Sequence, residues 1–485
     1  MRSRSLTPAL ALIGVMVLVP AAGWAGPGSV GPLQQVSGAS PFAACTADNV
    51  AAQPGTLYPN SELEPQIAGS AVDRNGDGAP DLIAAYQQDR WDNGGSRGIY
   101  ASVWYRGAWV QVAIPGTSAC VGGTHLRASD PWVTFSPNGT AYYLSLATSV
   151  GNDSELFVNR STDGGLHWGP PTSLINENSV FNFNDKPAIT ADPTDSRFVY
   201  AVWDRSNFPS DKRNSASGTP KSLRSDAMFA RSTDGGATWE APRAIYAPQA
   251  LEFSISHQIV VLSDGTLVDG FMLFHGSGSN KKGQEVAVMV SHDHGVTWSE
   301  PITVAKVLPG FVSDPDDGTP LRTGDILPEI AAGTNGSVDM TWQDATLAPS
   351  GSAIAFAKSL NGGLTWSTPV AINPVLTTQA FTPSIRVLPD GTIGVTYYDL
   401  RFNTPDGGAT LPTDYWFLHS HDGGATWTEA RVTTTSFDMR KAPDAGGLFT
   451  GDYEGLTVQA GAFVAAFDQT HGNDPGSIFV SRLTG

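Results

Sequence analysis

The chain repeats one pattern of apolar and polar positions: an apolar strand, a tight polar turn and a second apolar strand. Asn-Gly and Asp-Gly pairs between short apolar runs are strong signals of β-hairpins. The pattern predicts seven hairpins. Their turns are residues 137–139, 264–265, 335–336, 390–391 and 460–461, with longer versions at 73–81 and 192–197.

A third apolar strand follows the hairpins, as at residues 156–158 and 286–290, and in five cases it leads into an eight-residue signature. The signature reads S-x-D-x-G-x-T-W with small departures, and consecutive copies begin 59 to 71 residues apart. This period fits one four-stranded sheet with its turns and favours the repetition of sheets about an axis. The copies are residues 161–168, 232–239, 291–298, 359–366 and 420–427.

The residue types of the signature indicate a structural role. Asp followed by two glycines can form a tight turn with positive φ, and the Ser and Asp side chains can bond the backbone of the same turn. The Trp ring can pack under the neighbouring strand. Five copies favour a turn that stabilises the fold, since a catalytic site rarely needs five copies of one turn.

The five signatures resemble the Asp-boxes of the sialidase-like propellers, also called BNR-repeat proteins. This resemblance implies an all-β fold, a β-propeller of four-stranded antiparallel blades. The seven hairpins predict seven blades, whereas sialidases have six, so six blades with one irregular insertion is the alternative. The last sheet lacks an outer strand of its own, and residues 32–36 are predicted to supply it and close the ring.

The first residues predict export. Two arginines, an apolar run at residues 6–19 and small residues before Ala25 indicate a signal peptide over residues 1–25. Residues 26–485 then form one propeller domain, which is predicted to be secreted and monomeric. In an oxidising compartment Cys45 and Cys120 are predicted to form a disulfide, because both would lie on adjacent connections between blades.

Charge and motifs limit the partners. The formal net charge of −18 argues against nucleic acid or an anionic membrane surface. No stretch after the signal peptide predicts membrane insertion. The sequence contains no zinc or nucleotide-binding motif, so no cofactor is expected for catalysis. The expected partner is an extracellular glycan or glycoconjugate.

Long loops indicate the functional face. In a four-stranded meander the turns alternate between two sides, so the hairpin turns and the repeated signatures share one face. The longest segments fall on the opposite face, and long loops on a rigid scaffold commonly carry function. These segments are residues 204–226, 275–284, 306–328, 399–414 and 434–453.

The sialidase resemblance implies specific catalytic residues. In that family a tyrosine paired with a glutamate is the nucleophile and an aspartate is the acid/base. Tyr453, followed by Glu454-Gly455-Leu456, is similar to the tyrosine that opens the last sialidase blade. The resemblance therefore makes Tyr453 the nucleophile and Glu454 its activating partner, and Asp89 is the candidate acid/base, with Asp92 as the alternative.

Three arginines clamp the substrate carboxylate in sialidases, and one of these positions has a counterpart here. Arg401, after the strand that follows 382–386, resembles the third arginine. The other two positions align with Glu64 and with residues 343–344, which contain no arginine. Arg205 and Arg90 are predicted to replace them from other blades and to bind an acidic sugar, with His257 as a further contact.

The loop at residues 73–81 predicts a metal site of its own. Its spacing, D-x-N-x-D-G-x-x-D, resembles the short calcium loops of dockerin or integrin-type repeats. The predicted ligands are Asp73, Asn75, Asp77 and Asp81. Such a Ca²⁺ would be structural, since the loop lies away from the long loops, and an acidic turn without metal is the alternative.

Two other functions remain open from the sequence. A hydrolase of neutral sugars could use two carboxylates across the channel mouth, such as Glu64 and Glu454. A non-catalytic propeller could bind glycan or protein through its long loops, with Trp91, His257 and His275 as contacts.

Overall fold

The predicted all-β class is confirmed. The computed structural model describes residues 29–149, 153–179, 181–208, 224–276, 283–308, 310–404 and 407–485, so the predicted signal peptide lies outside the described residues. Within those ranges the helical elements are short 3-10 turns of three residues each. They are Val50–Ala52, Ala119–Val121, Thr334–Gly336, Ala345–Leu347 and Met439–Lys441.

The strands form seven consecutive antiparallel groups, which we call units 1 to 7. Unit 1 consists of Leu57–Gly69, Leu82–Trp91, Ser96–Tyr105 and Ala108–Ala113, and unit 2 of Arg127–Phe135, Ala141–Thr148, Ser154–Ser161 and Thr172–Glu177. Unit 3 consists of Asn182–Ala191, Val199–Asn207, Arg224–Ser232 and Arg243–Tyr246, and unit 4 of Phe253–Val261, Leu267–His275, Gly283–Ser291 and Ile302–Val307.

The remaining units follow the same order. Unit 5 consists of Glu329–Ala332, Val338–Asp344, Ala353–Ser359 and Val370–Ala371, and unit 6 of Ala380–Val387, Ile393–Asp399, Pro412–Ser420 and Thr428–Arg431. Unit 7 has three strands from its own segment, Gly455–Gln459, Ala462–His471 and Asp474–Leu483. Its fourth strand is Gln34–Gln35, which pairs antiparallel with residues Phe479 and Val480.

The hydrophobic core lies between neighbouring units. The second strands of units 1, 5 and 6 are buried along their whole length, because units cover them on both faces. These strands combine apolar and aromatic residues with buried polar side chains. One cluster joins Leu144 of unit 2 to Trp203 of unit 3, and another joins Phe356 of unit 5 to Tyr397 of unit 6. First strands of neighbouring units also contact one another, and that of unit 7 contacts that of unit 1.

The five repeated signatures form one hydrogen-bonded turn. In the third copy Ser291 Oγ donates to Asp293 Oδ1 at 2.9 Å and accepts from Gly295 N at 2.9 Å. Asp293 Oδ1 also accepts from Thr297 N at 2.9 Å. The Trp298 ring then packs edge-on against Phe229 of the preceding unit, with ring centroids 5.7 Å apart. The signature thus stabilises its own turn through hydrogen bonds and packs that turn against the preceding unit through the Trp ring.

A short three-stranded sheet, which we call the cap sheet, joins two of the long loops. It consists of Val312–Ser313, Pro320–Arg322 and Leu448–Phe449. Arg440 strengthens the junction, because its guanidinium donates to Asp314 at 2.6 Å and to Asp316 at 2.7 Å. The cap sheet connects the segment before unit 5 with the segment before unit 7.

The predicted disulfide is confirmed. Cys45 and Cys120 are bonded, with Cα atoms 5.7 Å apart. The bond joins the segment before unit 1 to the connection between units 1 and 2. The described residues include no helix with the length and apolar character needed to cross a membrane.

Candidate functional site

The first strands of units 1, 2, 3, 4 and 6 are interrupted by bulges. At each bulge a non-glycine residue has a positive φ between 47° and 64°. A bulge redirects a side chain from the regular alternation, and such backbone is concentrated at functional sites. These residues are Glu64, Asp130, Lys186, Ser256 and Thr382, and all except Ser256 precede a proline.

Lys186 lies at the centre of a buried cluster of charged side chains. Its Nζ donates to Asp452 Oδ2 at 2.6 Å and lies 3.5 Å from Glu64 Oε1. Arg322, on the cap sheet, donates from Nε to Asp452 Oδ1 at 2.9 Å. The side chains of Glu64 and Asp452 are only 1% and 5% exposed. The cluster therefore joins units 1 and 3 to the cap sheet and to the segment before unit 7.

The two carboxyls of this cluster differ in proton affinity. Burial opposes the charge of Asp452, but Arg322 and Lys186 outweigh it and hold the pKa of Asp452 below its usual range. At Glu64 burial dominates and raises the pKa, although Lys186 opposes that rise. Neighbouring carboxyls with pKa values moved apart are typical of acid/base sites.

Tyr453 lies beside the cluster with its ring almost fully buried. Its hydroxyl donates to Pro131 O at 3.3 Å, and its ring centroid lies 5.5 Å from that of Trp132. Lys186 Nζ lies 5.8 Å from the centre of the Tyr453 ring. Burial, followed by the nearby Glu64 and Asp130 carboxyls, raises the pKa of the Tyr453 phenol well above its usual value.

A cavity of about 10 Å³, room for about one water molecule, lies between Tyr453 and the first strands of units 2, 3 and 4. Small-molecule sites commonly span about 300–1,000 Å³, so this cavity is far smaller than such a site. His257 contributes to it and is held by Asp269, with Nδ1 and Oδ2 2.7 Å apart. Its lining includes Asp130, Trp132, Lys186, His257, Leu327 and Tyr453.

Arg90 is the predicted substrate-binding arginine that lies in this region. It is 3% exposed, and Phe449 of the cap sheet stacks against it at 5.3 Å and against Arg322 at 4.5 Å. Among the described residues, Nε and Nη1 of Arg90 have no hydrogen-bond partner. Burial lowers the pKa of Arg90, and the nearby Glu64 opposes that shift. A buried guanidinium with available donors can hold a planar anion such as a carboxylate.

Two other predicted arginines have carboxylate partners of their own. Arg401 donates to Asp399 Oδ2 and to Glu429 Oε2, both at 2.6 Å, and its guanidinium lies 3.5 Å from the centre of the Trp416 ring. Arg205 pairs with Glu177. A substrate carboxylate would have to compete with these internal ion pairs, so their predicted role in binding remains a prediction.

The predicted catalytic carboxyls also have other partners. Glu454 accepts from Tyr398 Oη at 2.8 Å and from Asp468 N at 3.1 Å, and its pKa is raised by burial. Asp89 accepts from Ser40 Oγ at 2.5 Å and from the backbone of Asn60 at 2.9 Å. Asp89 thus anchors the segment before unit 1. Tyr453 and His257 line the cavity and Arg90 lies beside the cap sheet, whereas the described contacts of Glu454 and Asp89 lie elsewhere.

The predicted calcium loop bonds mainly to its own backbone. Asp73 accepts from Gly76 N and Gly78 N, and Asp77 accepts from Ala79 N at 2.9 Å. Asp81 accepts from the backbone of Arg74 and Asn75 at 2.9 and 3.2 Å. Among the described residues, the one group of three converging metal-ligand side chains comprises Asp48 and the disulfide cysteines. Calcium at residues 73–81 remains a prediction.

The sequence places Lys186 and Asp452 just before first strands, facing the channel mouth, but indicates no chemical role for them and gives no indication of Arg322. A signal for the first of these was present, since a residue followed by proline recurs in the first strands, at residues 64–65, 130–131, 186–187 and 382–383. Arg322 reaches the site through the cap sheet, which joins segments more than a hundred residues apart. No local pattern predicts such a pairing.

The fold and the repeated turns define a β-propeller protein. Residues 213–381 match the family described as BNR repeat-like domain, so the resemblance to BNR-repeat propellers is confirmed. The chain matches no curated protein.

Similar solved structures include two sialidases and an arabinanase. The Hadza microbial sialidase Hz136 is 18% identical, covers 82% of this chain and 76% of its own, and has a TM-score of 0.46. A mutant of the NanB sialidase from Streptococcus pneumoniae is 10% identical, with coverages of 95% and 99% and a TM-score of 0.47. The Penicillium chrysogenum alpha-L-arabinanase complexed with arabinobiose is 11% identical, with coverages of 93% and 98% and a TM-score of 0.46.

Proposed function

We propose that the protein is a glycoside hydrolase of the exo-α-sialidase type, which removes an acidic sugar from extracellular glycans. The observation that carries this proposal is the position of Tyr453. Its ring lines the cavity beside Lys186, and the carboxyls of Glu64 and Asp130 have the strongest charge effects on its phenol. Sialidases use a tyrosine nucleophile, and a neighbouring base is one of the ways in which such a nucleophile is activated.

Glu64 is the carboxyl that we assign to activate Tyr453, in place of Glu454. Glu454 is hydrogen-bonded to Tyr398, whereas Glu64 belongs to the cluster beside the Tyr453 ring. Burial raises the pKa of Glu64, which makes its carboxylate a stronger base for a phenol proton. Lys186 then stabilises the phenolate through its charge.

The cations of the site support an acidic substrate. Arg90, Lys186 and Arg322 lie around Asp452, which Arg322 and Lys186 hold in its charged form. Burial and Asp452 raise the pKa of Asp325 to about 6, and burial and Asp130 raise that of Asp185 to about 7. Both carboxyls take up protons as the pH falls from 8 to 5. The site therefore becomes more positive, and KM for an acidic sugar is expected to fall over that range.

The seven units are proposed to be the blades of one closed propeller. Two observations support this: the first strands contact one another in cyclic order from unit 1 to unit 7 and back to unit 1, and Gln34–Gln35 supplies the fourth strand of unit 7. A ring closed in this way leaves no unpaired sheet edge in the last blade.

The protein is also proposed to be exported. The Cys45–Cys120 disulfide supports an oxidising compartment, in agreement with the signal sequence predicted at residues 1–25. The protein is proposed to be a secreted monomer.

The loop at 73–81 is proposed to bind a structural Ca²⁺, supported by the spacing of its oxygen ligands. A rise in melting temperature with added CaCl₂, lost in Asp77→Asn, tests this part.

A panel of chromogenic glycosides that includes an α-sialoside tests the activity. The wild-type protein is expected to hydrolyse the acidic glycoside, and Tyr453→Phe is expected to lower kcat by about 100-fold or more because the nucleophilic oxygen is lost. Tyr142→Phe is the matched control, since Tyr142 is buried and its hydroxyl also donates to a backbone carbonyl, that of Gly235 at 2.8 Å. Full activity of Tyr453→Phe would contradict the assignment.

A non-catalytic glycan-binding propeller is the second candidate. The small volume of the cavity and the burial of Glu64 and Tyr453 favour it, because a glycosidic bond must reach both groups. Calorimetric binding of an acidic oligosaccharide that is recovered intact would support this candidate over the hydrolase.

A further inference from the structure

Asp452 is held by two cations in the way that a bound carboxylate would be. Arg322 donates from Nε to Oδ1 at 2.9 Å and from Nη2 to Oδ2, which are the two parallel bonds of an arginine–carboxylate pair. Lys186 Nζ donates to Oδ2 at 2.6 Å. We call Lys186 and Arg322 the anion site. In this structure the chain's own aspartate, which is 5% exposed, occupies that site.

Phe449 covers a further cation beside the anion site. The centre of its ring lies 5.3 Å from the guanidinium carbon of Arg90 and 4.5 Å from that of Arg322. Both Phe449 and Arg90 are buried, and among the described residues Nε and Nη1 of Arg90 have no hydrogen-bond partner. Buried donors without an acceptor are unfavourable, and a bound anion would supply the acceptor. The closed arrangement therefore covers a binding group that it leaves unsatisfied.

The covering ring and the aspartate belong to one short segment, residues 447–452, which we call the gate. Its strand, Leu448–Phe449, is joined to the cap sheet by two residue pairs, and its ring lies in a small core cluster with Leu63. Gly447 and Gly451 flank this strand with φ of 152° and 145°. Such backbone is accessible to glycine, and hinges are built from a few positions that absorb large changes in φ and ψ. The gate thus has the features of a segment that can move.

The other two strands of the cap sheet are fixed to unit 6. Ser313 donates from its backbone to Gln379 Oε1 at 2.8 Å and accepts from Gln379 Nε2 at 2.9 Å. Thr382 Oγ1 of unit 6 donates to Thr323 O at 2.8 Å. Leu321 is buried in the core cluster that joins units 6 and 7. Opening of the site therefore moves the gate and leaves these two strands in place.

We infer that the gate is an autoinhibitory segment: Asp452 occupies the anion site in place of a ligand carboxylate, and the gate must lift before an acidic ligand binds. This inference rests on the proposed function, since the ligand is the acidic sugar of that hydrolase. The cavity of about 10 Å³ beneath the gate admits no sugar in the closed form. Lifting of the gate uncovers Arg90 and releases Lys186 and Arg322 to bind the carboxylate of the sugar.

Removal of the aspartate tests its role as an internal ligand. Asp452→Ala leaves Lys186 and Arg322 buried without their carboxylate, so the variant is expected to be less stable and to regain stability from an added carboxylate. Sodium formate should raise its melting temperature at concentrations about tenfold or more below those that affect the wild type.

Two controls belong to the formate experiment. Sodium chloride at the same ionic strength measures the effect of salt. Asp339→Ala measures the response of a buried ion pair outside the site, because Asp339 is a buried carboxyl paired with Lys358 on unit 5. An Asp452→Ala protein that responds to formate no more than to chloride would overturn the role of Asp452.

A disulfide across the closed gate tests its movement. Leu321 and Leu448 are register partners in the cap sheet and pack in one core cluster, so Leu321→Cys with Leu448→Cys places two thiols within bonding reach. The oxidised variant is expected to bind N-acetylneuraminic acid about tenfold or more weakly than its reduced form in calorimetry. The wild type with and without reductant is the control, since reduction also opens the Cys45–Cys120 bond. Equal binding by both forms, with the new disulfide confirmed by peptide mass, would contradict a moving gate.

The outcomes separate the inference from the function on which it rests. A wild type that neither binds nor hydrolyses an acidic sugar contradicts the proposed function, and the formate response of Asp452→Ala then decides the role of Asp452 by itself. A wild type that hydrolyses an α-sialoside, and whose oxidised cysteine variant hydrolyses it equally well, contradicts only the gate. If Asp452→Ala does not fold, the cysteine variant still provides the test, because it keeps every charged group of the site.

Discussion

At the scale of single residues, the second glycine of the fifth repeated turn is under a tighter constraint than the first. Gly423 and Gly424 both have positive φ, 74° and 96°. A Cβ on Gly423 would meet nothing within 4 Å, whereas one on Gly424 would lie 2.4 Å from Cε1 of Phe356 in the preceding unit. A substitution at Gly423 therefore measures the cost of the backbone conformation alone, and one at Gly424 measures that cost together with the cost of a packing clash.

Gly424→Ala is therefore expected to destabilise the protein more than Gly423→Ala. Both changes strain a left-handed backbone, which costs about 1–3 kcal/mol, and only the first also forces Phe356 to move, for about 1–3 kcal/mol more. Guanidinium unfolding of the two variants measures the difference. Equal losses would show that backbone strain alone selects glycine here.

Sequence patterns found some site residues and missed others for a physical reason. Tyr453 and His257 could be placed at the cavity because each flanks a strand whose position the hairpins fix. Arg401 and Arg205 were matched by position, but their ion pairs with Glu429 and Glu177 depend on neighbours 28 residues away in each case. Such pairing depends on strand register, which the pattern does not reveal.

At the scale of elements, the segment before unit 1 is fixed by a small network around the disulfide. Arg97 of unit 1 donates to Asp48 Oδ2 at 2.6 Å, to Phe42 O at 2.9 Å and to Cys45 O at 2.8 Å. The Cys45–Cys120 bond closes a loop over a sequence separation of 75 residues. This network holds the chain that leads from the outer strand of unit 7 to unit 1.

The double variant Cys45→Ser and Cys120→Ser is expected to lose about 4 kcal/mol of unfolding free energy, since the closed loop restricts the unfolded chain. Denaturant unfolding with and without reductant measures it. Reductant should lower the stability of the wild type and leave the variant unchanged. A variant as stable as the oxidised wild type would show that the Arg97 network suffices without the disulfide.

The strands could be predicted from the sequence more completely than the elements that join them. Alternating apolar runs around Asn-Gly and Asp-Gly turns placed the hairpins, because those signals are local. The cap sheet could not be placed, since its strands are two or three residues long and lie in loops. The bulges at Glu64, Asp130 and Lys186 were also missed, because each depends on a partner strand.

At the scale of the whole molecule, buried carboxyls set the pH dependence of stability. Burial raises the pKa of Glu62 to about 8, that of Asp399 to about 6 and that of Asp325 to about 6. These groups stay protonated in the fold at pH values where the unfolded chain ionises. Folding therefore takes up protons between about pH 4 and pH 8, and stability is expected to fall as the pH rises through that window.

The variant Glu62→Gln tests whether stability falls as the pH rises. Glu62 is 1% exposed, and Gln88 Nε2 donates to its Oε1 at 2.5 Å, an oxygen that glutamine keeps. At pH 5 the variant should match the wild type, because Glu62 is neutral in the fold. At pH 8 the variant should be the more stable, at about 1.4 kcal/mol for each unit of pKa shift removed. Melting temperatures across pH 5–8 measure it, and parallel curves would contradict the assignment.

The pairing of Gln34–Gln35 with unit 7 has a consequence for biosynthesis. Ser29 and Thr484 hydrogen-bond across a separation of 455 residues, so a segment translated early waits for one made near the end. Until then, folding intermediates expose an unpaired strand edge, which can pair with a strand of another copy of the chain. An incomplete ring of units of this kind gives the cell a reason to hold the polypeptide with a chaperone until translation has passed the final repeat.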